Sequence, residues 1–161
     1  MLKVLLVSTS LATVLVASPL SIGLTDNSKG ESRRFRSLVI RPALKGLGNW
    51  SCELETLLLA TAAHESHLGR LSKNVFQITK IAADELRRTT SDRFDEPADR
   101  WSAFTQVTAA ARIYERHELP NSLGKAASLW KRVYNTKAGK GTVRRFLRDA
   151  KREGVIWCQK S

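Results

Sequence analysis

SCELETLLLATAAHESHLG, residues 51–69, sets leucine, threonine and alanine at Leu54, Leu57, Leu58, Thr61 and Ala62 and then a carboxylate at Glu65. This is the i, i+3, i+4, i+7, i+8, i+11 series of one helix face. Asn49 or Ser51 offers an oxygen to the unpaired N–H groups of the first turn, and Glu53 and Glu55 stand where negative charge suits the helix dipole. Gly69 is the expected stop. At about 100° per residue, Glu65 returns to within about 20° of Leu54 after three turns, so it shares the stripe that faces the core.

Outward from this helix the same periodicity recurs. A segment from about Arg34 to Gly46 precedes it, and Thr79 is placed to cap a helix carrying Ile81, Ala82 and Leu86. The polar stretch Thr89–Arg100, with Pro97, reads as a loop. Ala103, Phe104, Val107, Ala110, Ala111 and Tyr114 mark a helix expected to end near Leu119-Pro120. Leu123, Ala126, Ala127, Trp130, Val133 and Tyr134 mark another. Gly139 and Gly141 interrupt the pattern before Val143, Phe146, Leu147 and Ala150. No repeat and no period-two strand emerges, so the expected class is mainly α, in one domain spanning residues 35–161. Residues 24–34, which contain TDNSKGESRR, read as a linker.

A carboxyl group on a buried stripe, in the last turn of its helix, loses solvation and meets the negative end of the dipole. Both effects favour its neutral form, which is what a general acid requires. The alternative is a helix-end glutamate whose head reaches solvent.

The residues around it carry a likeness. Thr61-Ala62-Ala63-His64-Glu65-Ser66-His67-Leu68-Gly69 resembles the segment that holds the catalytic acid in lysozyme-like lytic transglycosylases, where Glu-Ser closes a buried helix. Asn74-Val75-Phe76-Gln77-Ile78-Thr79 resembles their Gly-Leu-Met-Gln-Ile motif, which lines the sugar cleft. Tyr134-Asn135, followed by Gly139 to Leu147, resembles their Ala-Tyr-Asn-Ala-Gly motif and its following helix. The three fragments occur in the family's order, and small transglycosylase-like proteins of phages and prophages are the nearest in kind. The resemblance implies a lysozyme-like fold with Glu65 as the acid and Ser66 supporting it. It also implies a substrate-binding set of Ser66, Phe76, Gln77, Ile78, Tyr134 and Asn135, with Tyr134 hydrogen-bonding the Glu65 carboxyl. Two departures stand out: Asn74 replaces the first glycine of the second motif, and Thr136-Lys137-Ala138 precedes Gly139.

Ordinary glycoside hydrolysis needs two carboxyl groups flanking the bond. Asp84 and Glu85 fall on a helix, and Asp92, Asp95 and Glu96 fall on the polar loop, where charge usually serves solubility. A single acid suits cleavage in which the substrate's own hydroxyl is the nucleophile. The resemblance implies the same reaction, between N-acetylmuramic acid and N-acetylglucosamine, leaving a 1,6-anhydro end. A loop aspartate facing the cleft would instead make the protein a hydrolytic lysozyme. A lysozyme-like structural or ejection protein without turnover is a further alternative. No cofactor is expected. His64-Glu65-Ser66-His67 falls short of the His-Glu-x-x-His zinc helix because its histidines are three apart rather than four.

The formal charge is +12, from 27 Lys and Arg against 15 Asp and Glu, which points to an anionic partner. Peptidoglycan strands are the expected one. A nucleic-acid-binding module is the rival, with the charge but without a binding motif or a set of stacking aromatics. Lys3 precedes an uncharged run from Val4 to Thr25, so residues 1–23 read as a signal peptide or as a membrane-inserting segment, with an arm ordered against virion proteins as the third alternative. All three place the protein in the periplasm, outside the cell or in a virion, with residues 1–24 as a point of contact with an envelope membrane. In such a setting Cys52 and Cys158 either pair or remain two small buried hydrophobes.

Overall fold

From Ser28 to Gly46 the chain runs almost as one helix: α1 (Ser28–Phe35), a wider-wound stretch over Arg36–Ile40, and α2 (Arg41–Gly46). Pro42, in the first turn of α2, has no N–H for the carbonyl four residues back. The backbone meets this by widening, and the Arg41 N–H bonds the Arg36 carbonyl five residues behind it. The computed structural model describes residues 28–92, 94–134 and 139–158. The apolar segment 1–23 and Asn135 lie outside the described residues.

Residues 28–34 are helical, which corrects the expectation of a linker there. Their polar composition hides two long-range ties. The Glu31 carboxylate accepts from Arg70 at 2.8 Å, and the buried Ser32 hydroxyl donates to the Glu153 carbonyl.

α3 (Cys52–Ser66) follows, with the Ser51 hydroxyl accepting the Leu54 N–H at 3.1 Å, while Asn49 bonds Glu115 instead. α4 (Lys80–Thr89), a single 3₁₀ turn (Ala98–Arg100), α5 (Ala103–Tyr114), α6 (Leu123–Val133) and α7 (Lys140–Arg152) complete the order. Thr79, Ser102 and Ser122 cap α4, α5 and α6 through their hydroxyls. No strand occurs among the described residues, and no described helix is long and apolar enough to cross a membrane. The class is mainly helical.

α3 is the axis. It is buried on every side from Leu54 to Ala63, so the face read from its leucines is only part of what it hides. α7, α5, α6 and the 36–40 turn pack around it. Leu54, Leu57, Leu58 and Leu59 are each almost fully buried, and each contributes about 2 kcal/mol of transfer free energy. The disulfide Cys52–Cys158 ties the start of α3 to the chain that follows α7. α5 ends at Tyr114, earlier than the Leu119-Pro120 boundary expected, because the backbone turns at once through a Tyr114 carbonyl bond to the His117 N–H.

Candidate active site

α3 ends at Ser66, three residues before the glycine expected to stop it. His67 and Leu68 adopt left-handed conformations, with φ of 51° and 61°, and the Leu68 N–H bonds the Ala62 carbonyl in a Schellman-type closure. Non-glycine residues in this region cost of order 1 kcal/mol each. Ser66 helps hold the turn. Its fully buried hydroxyl accepts the Gly69 N–H and donates to the Val75 carbonyl, both at 2.8 Å. Ser66 therefore binds the end of α3 to the second motif and does not line a substrate surface, which corrects its expected place in the binding set.

One turn before that closure, Glu65 is partly shielded, and Trp130 of α6 donates its indole N–H to Oε1 at 2.8 Å. Burial raises the proton affinity of this carboxyl. The Trp130 hydrogen bond and the nearby His64 act the other way, and burial prevails. Tyr114 and Tyr134 stack with centroids 5.4 Å apart, and the charge of Glu65 adds to the burial that pushes both phenols up. Tyr114 bonds Thr61 Oγ1 at 2.8 Å, while Thr61 donates to the Leu57 carbonyl. The expected bond from Tyr134 to Glu65 is not formed. The Tyr134 hydroxyl is buried without a hydrogen-bond partner among the described residues, and Trp130 takes that role. In the sequence Trp130 is one more apolar member of the α6 stripe, with nothing local to mark it as a donor to position 65.

A groove of about 280 Å³ runs beside this cluster. Gln77 and Ile78 form one wall, Glu85 of α4 another, and Val133 and Tyr134 the end of α6, with Arg116 and His117 completing it. Three of the expected substrate contacts, Gln77, Ile78 and Tyr134, are thus brought together on one groove. Phe76 is fully buried and packs in the core, so it supports the wall from behind rather than touching a ligand. Glu65 is not itself part of the groove's lining; Tyr134 is, and the charge of Glu65 contributes to the rise of its phenol.

The second motif is built by side chains. Asn74 donates to the Ile78 carbonyl and accepts the Ile78 N–H, both at 3.0 Å, so this asparagine clamps the loop across its base. Gln77, at the tip, is left-handed with φ of 51°. Such strain concentrates where surrounding structure imposes a functional geometry. Gln106 of α5 anchors the loop from the core, accepting the Val75 N–H and donating to the Lys73 and Trp101 carbonyls. It was invisible in the sequence because it falls between the apolar positions of α5.

The loop carboxylates do not form the groove. Asp92 is paired with Arg112, and Asp95 lies by a separate hollow near Pro97. The carboxylate that does line the groove is Glu85, 3.3 Å from Arg116, one of the two that fall on a helix. His64 and His67 turn to different partners. His64 Nδ1 meets Asp149 at 2.9 Å, and His67 lies against Arg152 and Glu153; both line one hollow separate from the groove. No family model, no curated protein and no solved structure matches the chain.

Proposed function

We propose that this chain is a lysozyme-like peptidoglycan lytic transglycosylase. The observation that carries the proposal is Glu65: a sheltered carboxyl with raised proton affinity, held by an indole N–H, whose charge acts on Tyr134, one of the residues that line a groove with Gln77 and Ile78. In this reaction the Glu65 proton passes to the oxygen bridging N-acetylmuramic acid and N-acetylglucosamine, and the bond from that oxygen to C1 breaks. The C6 hydroxyl of the same muramic acid attacks C1, and its proton returns to the Glu65 carboxylate. The product is a 1,6-anhydro end, and the acid is regenerated. General acid–base catalysis of this kind supplies about 10²- to 10⁴-fold. The positive charge of the chain suits an anionic envelope, and the setting is the periplasm, the exterior or a virion. Muropeptide analysis of digested sacculi is the test. Anhydro ends that vanish with Glu65→Gln support the proposal, and intact sacculi leave a lysozyme-like scaffold without turnover.

Glu85 favours one second reading, a hydrolytic lysozyme. Its carboxylate is on the groove wall, and with Glu65 it would make the acid and base pair that hydrolysis requires. Reducing ends in place of anhydro ends identify that chemistry.

A further inference from the structure

The indole that holds Glu65 is itself held. The His64 ring meets Trp130 edge-on, with centroids 4.7 Å apart and planes at 81°, and Phe146 completes a three-ring cluster at 5.4 Å from His64 and 5.2 Å from Trp130. His64 Nδ1 lies 2.9 Å from Asp149 Oδ2, and the two side chains are only 10% and 5% exposed. An apolar ring would fill this space without the desolvation cost of an imidazole and a carboxylate. The costly pair is nevertheless placed one residue from Glu65 and against the group that hydrogen-bonds it.

We propose that His64 and Asp149 form a positioning pair, which fixes the Trp130 indole against Glu65 and so tunes when that carboxyl gives up its proton. Asp149 orients the imidazole, the imidazole edge sets the plane of the indole, and the indole N–H reaches Oε1. The adjacent His64 also acts on Glu65 in the direction of ionisation, the same direction as the indole bond. Burial raises the proton affinity of Glu65, and the indole bond that the pair positions opposes that rise. The other charged groups are accounted for. Arg148 and Arg152 of α7 lie 3.6 and 3.9 Å from Asp149, His67 and Arg145 share the hollow beside His64, and Tyr114 and Tyr134 face Glu65 as neutral phenols. The functional meaning of this inference rests on Glu65 being the acid, but its physical content does not.

The test titrates the Glu65 side-chain carboxyl carbon by NMR in the full chain, with Trp130 indole N–H exchange measured alongside. His64→Gln is expected to raise the Glu65 midpoint by about half a pH unit or more, since it removes the imidazole and loosens the indole together. Trp130→Phe is expected to raise it as well, and the double variant by less than the sum of the two. Asp149→Asn keeps the ring but not its anchor, and is expected to speed indole N–H exchange about tenfold or more. Phe146→Leu, which leaves the His64–Asp149 bond and the His64–Trp130 contact in place, is the control and is expected to move the midpoint by clearly less than His64→Gln does. An unmoved midpoint in His64→Gln, an equal shift in Phe146→Leu, or unchanged exchange in Asp149→Asn overturns the proposal. Sacculus digestion by the unmodified protein is scored separately. Intact sacculi with these shifts present defeat the enzymatic reading and leave the positioning pair standing, whereas cleavage with the shifts absent does the reverse.

Discussion

Trp130 Nε1 stands 2.8 Å from Glu65 Oε1, joining the C-terminal half of α6 to the last turn of α3. Two helices distant in sequence thereby fix one carboxyl whose proton affinity burial raises. The first prediction concerns that group. Glu65→Gln keeps an oxygen that can accept the indole N–H, so the fold is retained while proton transfer is lost, and cleavage falls by about 10²-fold or more. Stability moves the other way. Because the folded state binds the Glu65 proton more tightly than the unfolded chain, the stability this group provides is fully present below the ordinary carboxylate range. It is lost as pH rises through the folded value. Glutamine does not titrate, so the variant gains on the wild type as pH increases. Thermal melts at pH 4 and pH 8 check this, with the larger rise in Tm expected at pH 8.

Glu85 separates the two chemistries. Its carboxylate lies 3.3 Å from Arg116 and is more than half exposed, so its loss costs little stability. If the substrate supplies its own nucleophile, Glu85→Gln retains cleavage within about threefold and the ends remain anhydro. A loss of about 10²-fold together with reducing ends in the wild type would assign Glu85 as the second carboxylate of a hydrolase.

What the chain shows locally it shows well. Ser51 and Thr79, two expected caps, accept N–H groups at the starts of α3 and α4, and the apolar stripes identify every α-helix after Pro42. Glu65 on the core-facing stripe of α3 was legible for the same reason, since helical geometry fixes its direction. What escaped depends on partners far along the chain. Glu55 reads as a first-turn carboxylate favoured by the dipole, yet it is nearly fully buried among Arg36, Arg41 and Trp50. Gln106, Trp130 and the helix in residues 28–34 were missed likewise, because their ties span 31, 65 and 121 positions.

Glu55 yields the third prediction. Burial alone would raise this carboxyl, but hydrogen bonds from Arg41 and Trp50 and the charges of Arg36 and Arg41 outweigh it and hold it below the ordinary carboxylate range. The stability it contributes is therefore present above about pH 4.5, the unfolded value, and is lost as pH falls toward the folded one. Glu55→Gln should cost about 2 kcal/mol at neutral pH, between an exposed and a fully buried broken pair because both arginines can still reach water. Urea unfolding across pH 3 to 7 checks both points, and the variant's stability is expected to vary less with acid than the wild type's.

Tyr134 supplies a prediction of opposite sign to the usual one. Its hydroxyl is buried with no partner among the described residues, and a buried unpaired polar group costs about 1–3 kcal/mol. Tyr134→Phe keeps the ring stacked on Tyr114 and removes the orphaned group, so the protein should be more stable by about 1 kcal/mol. A destabilisation of that size in urea titrations would show that the hydroxyl has a partner after all, and Glu65 would be the first to test by a double-mutant cycle with Gln at position 65.

The disulfide closes the last argument. Cys52 opens α3, and Cys158 ends a strap in which Val155 is buried and the Val155 N–H bonds the Ala150 carbonyl. The cross-link therefore holds the strap over the helix that carries Glu65, with the Cys158 sulfur 3.2 Å from the Thr56 hydroxyl. Its sequence separation of 106 residues restricts the unfolded chain strongly, and losses for native disulfides are about 2–5 kcal/mol. Replacing both cysteines by serine should lower stability by an amount in this range and speed amide exchange first in residues 153–158. The groove lies among α4, α5 and α6, away from the strap, so glycan cleavage at a temperature where the variant is folded should persist. Loss of cleavage in folded variant protein would mean instead that the strap and α3 move the acid together.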